Sequence, residues 1–296
     1  MSREAATRLI LESACAAVGY SAARAEVISM NENAVYRLPG GVVARISRPG
    51  QLETARREVV VSRWLEDSGI RAVRVIRELP QPIEVEGQPV VFWHELPPHE
   101  ISRPAQVGRM LRQLHDLPAP TDIGLGRVQP FVRLDQRIEA APSLTDDDRV
   151  WMHEHLASLE QRWANLPNGL PWCAIHGDAH EGNIVTADDG RAILLDLERF
   201  CIGPPEWDTV QTAVNWASCG WISEGEYKEF VTAYGHDIME WDGFELLRDV
   251  REFRMTSWLA QLAAENASLH EQAAYRVACL RGKEGERPWS GWKAKY

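Results

Sequence analysis

Positive charge is scarce in this chain. Of its 296 residues, 32 are Lys or Arg against 43 Asp or Glu, a formal charge of −11. A nucleic-acid binder advertises a basic face, so this composition argues against one. Lysine is absent until Lys228. Cysteine is sparse as well: Cys15, Cys173, Cys201, Cys219 and Cys279 are odd in number, scattered and without a CxxC pair. A disulfide scaffold or structural zinc site therefore lacks support, and a reducing cytosol is expected. No run reaches the roughly 18 uncharged apolar residues of a membrane span. Residues 3–18 are broken by Arg3, Glu4, Arg8 and Glu12, unlike the continuous apolar core of an export signal. A cytoplasmic protein without nucleic-acid or membrane partners is expected. Internal repeats and low-complexity linkers are also missing. The hydrophobic share of 45% and charged share of 25% are those of a folded globular chain, long enough for one large domain or two modest ones.

The texture changes along the chain. A first helix of about four turns, with Leu9, Ile10 and Val18 inside, is closed by Gly19. Ala25–Ser29, Asn33–Leu38 and Val42–Ser47 read as strands, the last two joined across Pro39-Gly40-Gly41, where Pro presets φ and Gly permits positive φ. A helix over Leu52–Asp67 follows, then a strand at Val73–Ile76 and a hairpin turning at Glu86-Gly87 into Val90–Trp93. Beyond Leu96-Pro97-Pro98 helices dominate. Pro104–Asp116 aligns Val107, Leu111 and Leu114 on one side. Thr145 caps a helix with an acidic first turn. Ser223 with Glu226 forms a capping box, and Gly235 ends that helix. Asp242 with Glu245 opens another, reaching about Glu265. The β runs here are Cys173–Ile175 and the pair Ile184–Thr186 and Ala192–Leu197. The pattern predicts an α+β chain: a small antiparallel sheet with one inserted helix over 1–94, and a larger, mainly helical part over 95–296.

Charge follows the same division. Residues 1–94 hold 12 Arg, no Lys and 11 acids, whereas the remainder holds 20 basic and 32 acidic residues. An acidic helical part suits a cationic ligand, and it also serves solubility.

The most informative stretch is His176-Gly177-Asp178-Ala179-His180-Glu181-Gly182-Asn183, followed by Leu194-Leu195-Asp196-Leu197-Glu198. Apolar β runs precede Asp178 and Asp196, so a loop held between strands can bring three short oxygen-bearing side chains together. Phosphoryl transfer asks for such a set. One carboxylate aligns the attacking hydroxyl and takes its proton, while an amide oxygen and a second carboxylate supply hard ligands to magnesium. His-x-Asp-x4-Asn arises by accident in a chain this long roughly once in a hundred cases. His176-x-Asp178-x-His180 could also be read as a hydrolase metal cluster, but further histidines within a few residues are lacking.

These residues resemble the aminoglycoside phosphotransferase family, bacterial small-molecule kinases that share the two-lobed protein-kinase fold. The resemblance implies Asp178 as catalytic base, His176 as a loop-orienting residue, and Asn183 and Asp196 as magnesium ligands. It extends over most of the chain. Val43-Ala44-Arg45-Ile46 occupies the strand that presents a lysine to nucleotide phosphates in kinases, with Glu58 placed to pair with it; Arg45 must substitute here. Phe92-Trp93-His94-Glu95-Leu96 resembles the hinge where the adenine edge meets backbone groups, at His94 and Leu96. Leu111–Pro118 resembles the first helical segment after the hinge. Gly203–Asp208 resembles the segment after the metal residues, where the aspartate is structural.

Two departures stand out. Ser29–Asn33 fills the place of a glycine-rich phosphate loop, and Asp196-Leu197-Glu198 replaces Asp-Phe-Gly without an activation segment behind it. Phosphorylation of a folded protein is therefore not expected. The resemblance implies ATP or GTP with Mg²⁺ as cofactors, residues 1–94 as nucleotide-binding lobe and 95–296 as catalytic and substrate-binding lobe. The expected acceptor is a hydroxyl of a small molecule, a basic antibiotic in the first reading. The alternatives are a housekeeping kinase of a sugar, amino alcohol or nucleoside-like metabolite, and a nucleotide-binding pseudokinase scaffold.

Overall fold

A computed structural model describes residues 2–294. Helix α1 (Arg3–Ala17) starts where Ser2 Oγ accepts the Ala5 N–H, satisfying one of the donors a helix start leaves open. Strands β1 (Glu26–Met30), β2 (Ala34–Leu38) and β3 (Val42–Ile46) precede helix α2 (Leu52–Asp67). Strands β4 (Ile83–Val85) and β5 (Gln88–His94) are joined through Glu86 and Gly87, at φ +49° and +75°. Positive φ at both positions is what a tightly twisted two-residue hairpin demands. A short β6 (His99–Ile101) leads into helices α3 (Pro104–His115), α4 (Leu134–Glu139) and α5 (Asp146–Trp163). Strands β7 (Cys173–Ile175), β8 (Ile184–Ala187), β9 (Ala192–Leu194) and β10 (Cys201–Gly203) come next. Helices α6 (Glu206–Ala217), α7 (Glu224–Tyr234), α8 (Phe244–Leu262) and α9 (His270–Leu280) complete the described chain.

The fold is α+β, of the protein-kinase-like class, and falls into two compact units. One comprises the chain up to Ser102 with Pro120–Leu125 and Asn183–Phe200; the other comprises Arg103–Ala119, Gly126–Gly182 and the chain from Cys201 onward.

In the first unit the antiparallel sheet runs β1-β2-β3-β5-β4. Tyr36, Ala44 and Phe92 lie in register across its middle strands and are fully buried beneath Ile10 and Leu11 of α1. Removing a ring the size of Phe92 from water contributes about 1.5–3 kcal/mol. The Tyr36 hydroxyl is not left unpaired: it lies 2.7 Å from Thr7 Oγ1 on α1. A second sheet, β6-β8-β9, carries the segment that ends at Asp196.

In the second unit α3 packs closely on α7. A Cβ added at Gly108 would sit 2.7 Å from the Phe230 carbonyl oxygen, so only glycine allows this approach. The short β7–β10 pair, Cys173 opposite Gly203 and Ile175 opposite Cys201, presents the loop that follows β7.

Several local expectations change. Leu9 is 55% exposed, because the buried stripe of α1 runs through Ile10, Leu11, Ala14 and Cys15 instead. Val73–Ile76 makes isolated bridges: Ala72 pairs with Leu194 and Val75 with Trp93, so the segment changes partner before a ladder can form. Helix α8 begins at Phe244 behind Gly243, not behind Asp242. Strands β6 and β10 and helices α4, α6 and α9 have no counterpart in the sequence reading.

Candidate active site

The eight residues singled out by sequence divide between the units. Arg45, Glu58, His94, Leu96, Asn183 and Asp196 lie in the first, His176 and Asp178 in the second.

In the first unit a cavity of about 320 Å³ is lined by Arg45, Glu58, Trp93, His94, Leu96 and Asp196, among others. Strand β3 delivers Arg45 and helix α2 delivers Glu58, and the two side chains form an ion pair. Glu58 is almost wholly buried; burial pushes its carboxyl up, and the Arg45 guanidinium offsets only part of that rise. The guanidinium also lies over the Trp93 ring, 5.4 Å from its centroid, which fixes its plane as well as its charge. At the hinge, the His94 N–H donates to Arg74 O and the Glu95 N–H to Gly41 O, both at 2.8 Å. Opposite, the turn between β1 and β2 is clasped by Arg3, which donates to Met30 O and Glu32 O at 2.9 Å.

The β8–β9 hairpin carries Asn183 and Asp196. Ile184 pairs with Leu194, and the Leu195 N–H donates to Asn183 O at 2.8 Å, so Asn183 and Asp196 flank one end of the hairpin. Asp196 adopts φ +47°, ψ +75°, a left-handed conformation uncommon for a residue with a side chain and one that marks functional turns. Beyond it, the Glu198 carboxyl is pushed up to about 7 by burial and by the neighbouring Asp196.

In the second unit the loop after β7 is held from below. Asp208, fully buried in the first turn of α6, accepts the backbone N–H of His176 through Oδ2 (2.8 Å) and of Gly177 through Oδ1 (2.9 Å). Gly177 sits at φ +83°, which a side chain would resist. The Trp207 indole N–H donates to Gly177 O at 3.0 Å. His176 is buried, and its Nδ1 accepts the Asp178 N–H at 3.3 Å. The Asp178 side chain, 23% exposed, meets Gln211 Nε2 at 3.4 Å and Arg251 Nη1 at 3.5 Å, both at Oδ1. Asn215, one turn after Gln211 on α6, donates to Glu181 Oε2 at 3.0 Å. Burial pushes the His180 imidazole down.

Sequence reasoning missed His115, Gln211, Asn215 and Arg251. Gln211 and Asn215 carry a faint signal, two amides four apart on α6, a helix that also holds Glu206, Asp208, Thr209 and Thr212; Arg251 carries none. No group of three or more His, Cys, Asp or Glu side chains among the described residues is arranged to hold a metal ion. Asn183 with Asp196 is a different donor set: an amide oxygen and one carboxylate at one hairpin end. These are hard oxygens suited to a magnesium ion that keeps phosphate and water ligands, so the residues present fit that group.

A partly buried Arg–Glu pair bordering a cavity beside an antiparallel sheet, with an aspartate-bearing loop pinned in a helical unit, is an arrangement that suits a small-molecule kinase. The chain belongs to the phosphotransferase enzyme (APH) family, whose family model matches residues 25–253. It is accordingly a nucleotide-binding phosphotransferase with an alcohol group as acceptor. Among solved structures it is similar to a choline/ethanolamine kinase family protein from Mesorhizobium loti (19% identity, 98% of this chain and 97% of that one, TM-score 0.66). It is also similar to aminoglycoside phosphotransferase APH(3'')-Id from Streptomyces rimosus in complex with ADP and streptomycin (17%, 84% and 98%, 0.59). A third, APH(2'')-IIia in complex with GDP and kanamycin, shares 14% identity over 94% of this chain and 100% of that one, with TM-score 0.63. No curated protein matches the chain significantly. Among the described residues no helix is long and apolar enough to cross a membrane.

Proposed function

We propose that the protein transfers the γ-phosphate of ATP or GTP to a hydroxyl of a small cationic molecule in the cytoplasm, a basic antibiotic in the first reading, and so inactivates it. Residues 1–94 form the nucleotide-binding lobe, with the hinge contact running on to Leu96, and 95–296 the catalytic and substrate-binding lobe. The observation that carries this reading is the Arg45–Glu58 pair sharing one cavity with Asp196.

Arg45 steadies the α- and β-phosphates, and Glu58 and Trp93 hold its guanidinium in place. At the hinge the His94 N–H is already spent on Arg74, so the nucleobase edge meets the His94 carbonyl and the Leu96 N–H. Mg²⁺, held by Asn183 Oδ1 and the Asp196 carboxylate, would supply charge neutralisation on the phosphate oxygens. Asp178 aligns the acceptor hydroxyl and takes its proton, and His176 and Asp208 hold the loop that carries it. Most of the rate gain comes from placement and fixed charge.

A metabolic kinase is the second reading, favoured by the similarity to a choline/ethanolamine kinase family protein over nearly the whole chain. A mass-spectrometric screen of hydroxyl-bearing antibiotics and metabolites, run with each nucleotide, separates the two. Phosphate added to an antibiotic at rates above those for metabolites supports the first. Selective phosphorylation of an amino alcohol or sugar replaces it with the second.

A further inference from the structure

Helix α8 brings a permanent cation to the edge of the loop. Arg251 Nη1 stands 3.5 Å from Asp178 Oδ1, and Gln211 Nε2 from α6 stands 3.4 Å from the same oxygen. The first contact is an ion pair and the second a hydrogen bond, and both are long, as is common before a substrate tightens the site. Both charged side chains remain partly exposed, 19% for Arg251 and 23% for Asp178, so their pairing adds little to folding stability. The helix beneath is held independently. The next residue, Glu252, is fully buried and accepts Arg287 Nε and Nη2, each at 2.7 Å. Burial pushes the nearby His180 imidazole away from its charged form. The lasting positive charge facing Asp178 is therefore the guanidinium.

A short carboxylate on a glycine-flanked loop can rotate about its terminal torsion. Two donors from different helices on one oxygen remove that freedom. We propose that Arg251 is a positioning residue of the phosphoryl-transfer step, acting with Gln211 through Oδ1 of Asp178 to fix the carboxylate that receives the acceptor's proton. In that step the acceptor oxygen bonds to the γ-phosphorus, and the bond to the β–γ bridging oxygen breaks. The nucleoside diphosphate leaves with that electron pair, and the hydroxyl proton passes to the Asp178 carboxylate. The proposal rests on the reading of Asp178 as base.

The test compares Arg251→Ala, Arg251→Lys, Gln211→Met and Asp178→Ala with the wild type on an acceptor from the screen, with and without millimolar guanidinium. Arg251→Ala is expected to lower kcat about 10- to 100-fold, the scale of a misplaced catalytic group, with nucleotide KM and melting temperature nearly unchanged. Guanidinium should restore a large part of that loss and leave the wild type and Asp178→Ala unaffected. Arg251→Lys and Gln211→Met, which perturb folding least, should each lose kcat several-fold. Wild-type kcat in the Arg251 and Gln211 variants, with Asp178→Ala inactive, overturns the proposal and spares the base assignment. A loss confined to acceptor KM without guanidinium rescue also overturns it. Wild-type turnover by Asp178→Ala overturns both.

Discussion

His115 Nε2 lies 3.0 Å from Oδ2 of Asp208, an oxygen that also accepts the His176 N–H. On its other side the His115 ring meets the Tyr234 hydroxyl at 2.9 Å. With Nε2 donating to the carboxylate, Nδ1 accepts from Tyr234, so α3, α7 and α6 are tied to the loop that carries Asp178 through one buried chain of hydrogen bonds. Cooperative networks of this kind are costly to leave half satisfied.

Asp208→Ala should therefore destabilise the protein by about 3–5 kcal/mol, the range for breaking a buried charged network. Chemical denaturation measures it. A loss under about 1 kcal/mol would mean the carboxylate does not clamp the loop.

Arg45→Met should raise the nucleotide KM at least about tenfold, roughly 1.4 kcal/mol of binding, with acceptor KM little changed. Arg45→Lys keeps the charge but loses the planar fork, so it should fall between. Steady-state kinetics with nucleotide varied decides this, and unchanged KM in Arg45→Met removes the residue from the phosphate site.

Glu198 gives a pH dependence with a definite sign. Its folded carboxyl is raised from 4.5 to about 7, by burial first and Asp196 second. The native state thus keeps a proton that the unfolded chain releases. This contribution is fully present below about pH 4.5 and is lost as pH rises through about 7. In chelator and without nucleotide, Glu198→Gln should gain stability relative to the wild type across that window. The side chain is 39% exposed, so solvent screening shrinks the effect and the sign is the test. A variant that loses ground with rising pH contradicts it.

Gly108→Ala should cost about 1–3 kcal/mol, since the added Cβ meets backbone at Phe230 and no side chain can swing away. A melting temperature equal to the wild type would show that α3 and α7 separate without penalty.

Much of this was legible wherever a signal is local. Helix α2 runs Leu52–Asp67 as its pattern predicts, Thr145 caps α5, and Ser223 with Glu226 makes the capping box of α7. Gly235 ends α7 at φ +88°. Elements that exist only through a distant partner were not legible. Strand β6 is three residues long and forms against Val185–Ala187; β10 forms against β7. The same holds at the candidate site. Asp178, Asn183 and Asp196 announce themselves by spacing, and Arg45 with Glu58 by resemblance. Arg251 reaches Asp178 only because α8 packs beside α6, which no window of sequence encodes.

The central claim is that Asp178 serves phosphoryl transfer to a hydroxyl. Its most direct test follows radiolabelled γ-phosphate from nucleotide to acceptor in the wild type and in Asp178→Ala, with nucleotide affinity measured alongside. The account predicts labelled acceptor from the wild type, a loss of about a thousandfold in the variant, and nucleotide binding within a few fold. Equal labelling by both proteins would contradict it.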